Sequence, residues 1–157
     1  MNSSIHLDTV VEAVMYSPDQ VTSFLNRETG DVVQIREDVL RRAQVKAPHG
    51  MLDAEEKQER QWADAVVSAG ADIYLPLPDR RAVDEYQLME EFIQNLKNPM
   101  MRSMLTRELT GSGVFRRFQD RVLELGLAGD WEAFRNEGYR AFARGWCEAH
   151  YVPYVDE

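Results

Sequence analysis

Apolar residues Leu7, Val10, Val11, Val14 and Met15 recur at helical spacing. They predict a first helix that begins near Leu7 or Asp8 and stops before Ser17-Pro18. The period then shortens. The runs VTSFLN and DVVQIR are rich in β-branched and apolar residues and are separated by Arg27-Glu28-Thr29-Gly30. That pattern predicts a hairpin, with Gly30 supplying the positive φ its turn needs. A lone hairpin is marginal in water, so a further element must cover it. The short run Asp72 to Pro76 is the candidate third strand, and Pro76 and Pro78 restrict it to an edge or a strand end. Between these runs, EDVLRRAQVK predicts one or two helical turns ended by Pro48 and Gly50. From Asp53 the pattern is helical and polar, with a narrow stripe of Trp62, Ala65, Val66 and Ala69 and a C-cap at Gly70.

The remaining chain reads as helix. Val83, Tyr86, Met89, Ile93 and Leu96 share one face, and Asn98-Pro99 restarts the chain as N-cap and first helical residue. Met101, Met104, Leu105 and Leu109 are expected to face inward. After Gly111-Ser112-Gly113, a stripe of Phe115, Phe118, Val122 and Leu125 is expected to be buried, with Gly126 ending that helix. Asp130 is the expected cap of a last helix bearing Trp131, Phe134, Phe142 and Trp146, and the tail VPYVDE is expected to lie over the surface. The fold class is therefore α+β: a small antiparallel sheet, made of the hairpin and a short third strand, followed by a mainly helical C-terminal half. Residues 1–157 are expected to form a single domain. Within it, 1–80 hold a helix, the sheet and a polar helix, and 81–150 the helical half.

Composition narrows the function classes. With 44% hydrophobic and 29% charged residues, 157 residues can build a packed core without disulfides or metal. The formal net charge of -9 opposes general nucleic-acid binding, which rests on neutralising phosphates, and suits a basic partner surface. A single cysteine, Cys147, excludes an intrachain disulfide. The N-terminal stretch lacks the basic flank of a signal peptide, and no apolar run approaches the roughly 20 residues of a membrane span. A cytoplasmic location without membrane attachment is expected.

Several landmarks recur together: Leu25-Asn26, Glu28 to Val33, Leu77-Pro78, Asp84-Glu85-Tyr86 and Met89-Glu90. Then come Gly111 to Phe118, Leu125-Gly126-Leu127, Trp131, Phe134-Arg135, Ala143 and Trp146-Cys147-Glu148. This set resembles an uncharacterised bacterial protein family of the UPF 0158 type, over most of the chain from about Phe24 to Glu148. The Phe-Arg-Arg-Phe cluster and the Trp-Cys ending are its most specific part. The resemblance implies a bacterial intracellular protein with an α+β fold and implies no activity. After Cys147 the chain departs from the family pattern, with Ala149-His150 in place of a more usual Glu-Asn.

The one candidate anion site is the Gly111-Ser112-Gly113 turn, followed by Arg116 and Arg117. A helix N-terminus offers free N–H groups, glycines admit close approach, and arginine adds bidentate contacts. The alternative reading is a helix–helix turn capped by Ser112, with its arginines paired to Asp120 or Glu124. No Gly-Lys-Ser/Thr ending is present, so the turn is not a P-loop. Glu85 and Glu90 flank the apolar stripe of their helix and could pair with Arg116 or Arg117. Cys147 and His150 share a helix face, but no second Cys or His stands nearby, and a buried thiol is the expected role of Cys147. Gly138, Ala141 and Gly145 form a small-residue strip that a neighbour could approach closely.

These residues predict a binding or regulatory module that recognises an acidic or phosphorylated partner through an arginine-bearing helical surface. The expected site comprises Glu85, Glu90, Ser112, Gly113, Arg116, Arg117 and Arg135. The expected partner is a protein or a second copy of the chain, with an anionic small molecule as a further possibility; no catalytic residue, metal or cofactor is expected. A small hydrolase or transferase acting on a phosphorylated or carboxylated substrate is the alternative, using the same arginines with Glu85 or Glu90. An RNA-binding module is the third reading and would need a contiguous basic face with exposed aromatics.

Overall fold

A computed structural model describes residues 4–156. Its elements in chain order are β1 (Ile5–His6), α1 (Leu7–Met15), β2 (Val21–Asn26), β3 (Val32–Arg36), α2 (Glu37–Gln44) and α3 (Ala54–Ala69). They continue with β4 (Tyr74–Pro76), α4 (Glu85–Asn95), α5 (Pro99–Thr106), α6 (Val114–Glu124), α7 (Ala128–Ala149) and β5 (Tyr154–Val155). The protein is α+β, with a three-stranded antiparallel sheet in its N-terminal part and a mainly helical C-terminal half. The chain divides into two compact units. One comprises residues up to Ala82 together with those from Ala143 onward, and the other is Val83–Phe142.

In the first unit the sheet order is β3-β2-β4. The hairpin register pairs Phe24 with Val33 and Thr22 with Ile35. Gly30 closes the turn at φ 80°, and Asn26 stabilises it by accepting from the amides of Glu28 and Thr29. The third strand docks where expected, with Leu25 opposite Leu75. One face of the sheet carries Phe24 and Ile35, which pack with Ala43 of α2 and Ala63 and Val66 of α3. A capping box starts α3: Asp53 accepts from the Glu56 amide while the Glu56 side chain accepts from the Asp53 amide. The expected stripe on α3 is corrected. Ala63 and Val66 are buried together with Arg60, while Trp62 is 39% exposed. Arg60 is held at depth by Asp64, at 2.9 Å, and by the carbonyl of Ala47.

The tail is a second correction. It does not simply lie on the surface, because Tyr154–Val155 pairs in parallel with Ile5–His6, and Val152 is buried. A two-residue strand is too short for periodicity to mark it.

In the second unit, Asn98 caps α5 by accepting from the amides of Met100 and Met101, with Pro99 at the first helical position. Met89, Phe92, Ile93, Leu105, Phe118, Val122, Leu127 and Trp131 form its core. Phe92, Phe118 and Trp131 meet edge to face, with centroids 4.9–6.4 Å apart, the arrangement that ring quadrupoles favour. Phe115 departs from expectation: it is 54% exposed. It stands in the first turn of α6, which starts at Val114, and its side chain is turned to water. On α7, Trp131 and Tyr139 of this unit are buried, as are Ala143 and Cys147 in the stretch that belongs to the first unit. They recur every four or eight positions, whereas Phe134, Phe142 and Trp146 are half-buried beside them. Helix α7 starts at Ala128, so Asp130 lies in its first turn and is not its cap.

Candidate functional site

The arginine surface read from the sequence separates into two clusters, both in the second unit. At the start of α6, Gly113 is the N-cap in the left-handed conformation (φ 72°, ψ 29°), and Ser112 makes no cap with its side chain. Glycine is needed there because a Cβ makes that conformation costly. Arg117 folds back over the loop and donates to the carbonyl oxygens of Glu108, Thr110 and Ser112. Its Nε lies 3.4 Å from the Glu108 carboxylate, which also accepts from Arg121 at 3.2 Å. Glu108 and the loop carbonyls therefore engage Arg117, and neither Asp120 nor Glu124 pairs with it. Arg116 is exposed.

The second cluster joins α4 to α7. Glu85 pairs with Arg135, not with Arg116 or Arg117. Burial works against the Arg135 charge, yet the hydrogen bond that Arg135 donates to Glu85 and the negative charge of Glu85 outweigh this and raise the guanidinium pKa. Arg135 lies 5.3 Å from the ring centroid of Tyr139, which is fully buried. Burial, followed by the charge of Glu85, pushes the Tyr139 phenol up. Glu90 is exposed and takes no part in this cluster.

Three carboxylates have displaced pKa values, and all three are lowered. The backbone amide of Glu56 lowers Asp53, and the guanidinium groups of Arg60 and Arg81 lower Asp64 and Asp79. Each is held ionised, the reverse of what a general acid at neutral pH requires. Among the described residues, no cluster of three His, Cys, Asp or Glu side chains is placed to hold a metal ion. Among the described residues, no helix is long and apolar enough to cross a membrane. Cys147 is fully buried, and burial pushes its thiol up to about 11. His150, which the sequence pattern sets on the same helix face, lies against Trp146, with ring centroids 4.6 Å apart.

A different feature, in the first unit, has the shape of a binding site. Strand β3 is an edge strand, because β4 pairs with β2 on its far side. The Asn26 amide donates to Asp31 at 2.8 Å. Antiparallel alternation then turns the backbone groups of Val33 and Ile35 toward β2 and those of Val32 and Gln34 outward. The outward row is closed at one end, where the Arg36 amide donates to Glu59 at 2.9 Å. Two stretches of one groove run beside this edge and share Gln34 and Trp62. Their volumes are ≈ 410 Å³ and ≈ 710 Å³, within the range of about 300–1,000 Å³ typical of ligand-holding clefts. Glu12 of α1 and Tyr16, the residue that caps the C-terminal end of that helix, line one side. Glu55, Gln58 and Trp62 of α3 line the other.

Sequence reasoning missed this groove because two facts were hidden. Strand order decides which strand is left at the edge, and the pattern predicts a third strand without saying which side it joins. Trp62 also reads as core by residue type, since tryptophan usually buries its ring. The available signal was the polar alternation of Gln34 and Arg36 in β3. No protein-family model, curated protein or solved structure matches the chain.

Proposed function

We propose that the protein is a binding module that captures an extended segment of another polypeptide along the open edge of β3. The observation that carries this reading is the outward row of backbone groups at Val32 and Gln34, lying in a groove with an aromatic ring on each side. An unpaired strand edge is a template for a further strand, and backbone hydrogen bonds give such complexes their affinity. Proteins commonly cover or charge an exposed edge to prevent pairing. Here Glu59 and Arg36 close only one end of it. The sequence-derived expectation of a binding role is kept, and the surface that performs it moves from the α6 arginines to the sheet. Arg117 and Arg135 already serve loop and helix contacts, which leaves them poorly placed to hold a partner's anions.

The test uses Gln34→Pro. Proline removes the outward N–H and leaves the β2 ladder intact, as edge positions allow. The expected result is a folded variant, with unchanged far-UV dichroism, that no longer binds extended hexapeptides. In the wild-type protein, such a peptide should slow amide exchange at Val32 and Gln34. If no peptide in a panel of acidic, basic and neutral sequences protects those two amides, the reading is wrong.

A further inference from the structure

The first unit holds a second feature, which does not rest on the strand-capture reading. A cavity of ≈ 110 Å³ is lined by residues of α2, of the loop after it and of α3. That volume admits several waters or one small ligand, well below the roughly 300 Å³ at which clefts for larger ligands begin. Although the chain carries a net charge of -9, the wall of this cavity gathers three arginines and a histidine: Arg36, Arg42, Arg60 and His49.

Arg60 is the deepest of them. Among the described residues it is the one buried charged side chain, at 5% exposed, and a cation at such depth is costly unless paired and hydrogen-bonded. Its Nε donates to Asp64 at 2.9 Å and its Nη2 to the carbonyl of Ala47. Nη1 has no protein acceptor among the described residues, and it is not sealed from solvent. Part of a rigid guanidinium fork is therefore fixed in place while the rest stays open.

The carboxylates that hold these cations stand outside the cavity wall. Asp64 takes Arg60 on Oδ1 and the Nε2 of His49 on Oδ2, the latter at 3.0 Å, and Glu59 takes Arg36 at 3.0 Å. Arg42 is exposed and has no ion-pair partner among the described residues. Two acids do belong to the wall. The Glu56 carboxylate is engaged by the Asp53 amide in the capping box, and Asp38 is exposed to solvent. Their charge opposes a dianion more than a monoanion. Val39 and Leu52, both partly buried, give the wall an apolar side.

We propose that this cavity binds a small organic monocarboxylate. Arg42 and the open Nη1 of Arg60 receive the carboxylate, for which a guanidinium is the matched donor. A short branched apolar group then rests against Val39 and Leu52.

The experiment titrates the full chain with sodium isobutyrate, sodium acetate or inorganic phosphate, followed by NMR, with ionic strength held constant by chloride. Isobutyrate is expected to shift the Arg60 Nε–H signal and the amides of Val39 and Leu52 to saturation. It should bind about three- to tenfold tighter than acetate, because it buries two further methyl groups, and tighter than phosphate. Arg42→Gln should weaken isobutyrate binding about tenfold, the loss of one charge-assisted contact, and leave the urea midpoint unchanged because the residue is exposed. Leu52→Ala should bring isobutyrate down to the affinity of acetate. Absence of a saturable shift at these three groups would overturn the proposal, as would undiminished binding by Arg42→Gln. Tighter binding of phosphate than of isobutyrate would overturn the assignment to a monocarboxylate. Peptide binding at β3 is read separately, through Gln34→Pro, so failure here leaves strand capture standing.

Discussion

Leu88 occupies the space that a side chain at Gly138 would need. A Cβ placed on Gly138 would lie 2.6 Å from Leu88 Cδ2 and 2.9 Å from Cδ1. The close approach of α4 to α7 thus rests on a missing methyl group. It also supports the Glu85–Arg135 pair, which joins the same two helices. Gly145, on the same helix, has nothing within 4 Å of its Cβ position.

These two glycines should respond in opposite directions to alanine. Gly145→Ala is expected to stabilise by about 0.5–1 kcal/mol, the helical cost of glycine. Gly138→Ala gains the same term but must displace Leu88, and overpacking costs about 1–3 kcal/mol. Its expected net effect is a loss of about 1 kcal/mol in urea denaturation. Leu88→Ala should cost less in the Gly138→Ala background than alone, with a coupling of at least about 0.5 kcal/mol. Independent effects in that cycle would show that the helices can move apart freely.

The Cys147 thiol should be inert while the protein is folded. It is fully buried, and its pKa is pushed up to about 11. At pH 8 only about one thiol in a thousand would be ionised, even if a reagent could reach it. A thiol reagent at pH 8 is therefore expected to label Cys147 only as fast as the protein opens. The rate should rise to that of a free thiol in denaturant. Rapid labelling of the native protein would contradict this.

Asp64 gives the protein an acid-sensitive contact. Its hydrogen bond from Arg60 holds its carboxyl below the ordinary value of 3.8. A carboxylate with a depressed folded pKa adds stability that is fully present above the unfolded value. That stability is lost as pH falls through the folded one. Asp64→Asn is expected to be less stable than the wild type at pH 7, and the difference should disappear in the most acid conditions that keep the protein folded. Because the Asp64 side chain is 40% exposed, solvent screening keeps the effect small. Denaturation curves at pH 7 and near pH 3 measure it. A difference that persists unchanged into acid would assign the effect to shape instead of charge.

What could be read from the sequence follows a physical division. Local signals carried through: Asn98 caps its helix, Gly30 turns the hairpin, and the third strand pairs where its apolar run falls. Each depends on a few neighbouring residues. Tertiary choices did not carry through. Phe115 and Phe118 have the same chemistry, yet one is 54% exposed and the other fully buried, because only the neighbouring helices decide which side of α6 is inside. Glu85 finds Arg135, fifty positions away, through the crossing of α4 and α7. The edge position of β3 likewise depends on which neighbour β4 chooses. The candidate groove is built from choices of this second kind.

Arg117 separates the two readings of the glycine turn. Its guanidinium is already bonded to the carbonyls of Glu108, Thr110 and Ser112 and lies beside the Glu108 carboxylate. If the residue is a clamp, Arg117→Ala should destabilise the protein by about 1–2 kcal/mol. The Thr110 and Ser112 carbonyls can turn to water, while the half-buried Glu108 loses a partner. Arg117→Lys should recover only part of that loss, because an ammonium group cannot reproduce the planar fork that reaches several carbonyls together. Inorganic phosphate at millimolar concentration is expected to leave the wild-type unfolding midpoint unchanged. An anion that binds the folded state raises the midpoint by mass action. A phosphate-dependent rise that disappears in Arg117→Ala would mean that the anion displaces the carbonyls, and that the turn is a binding site after all.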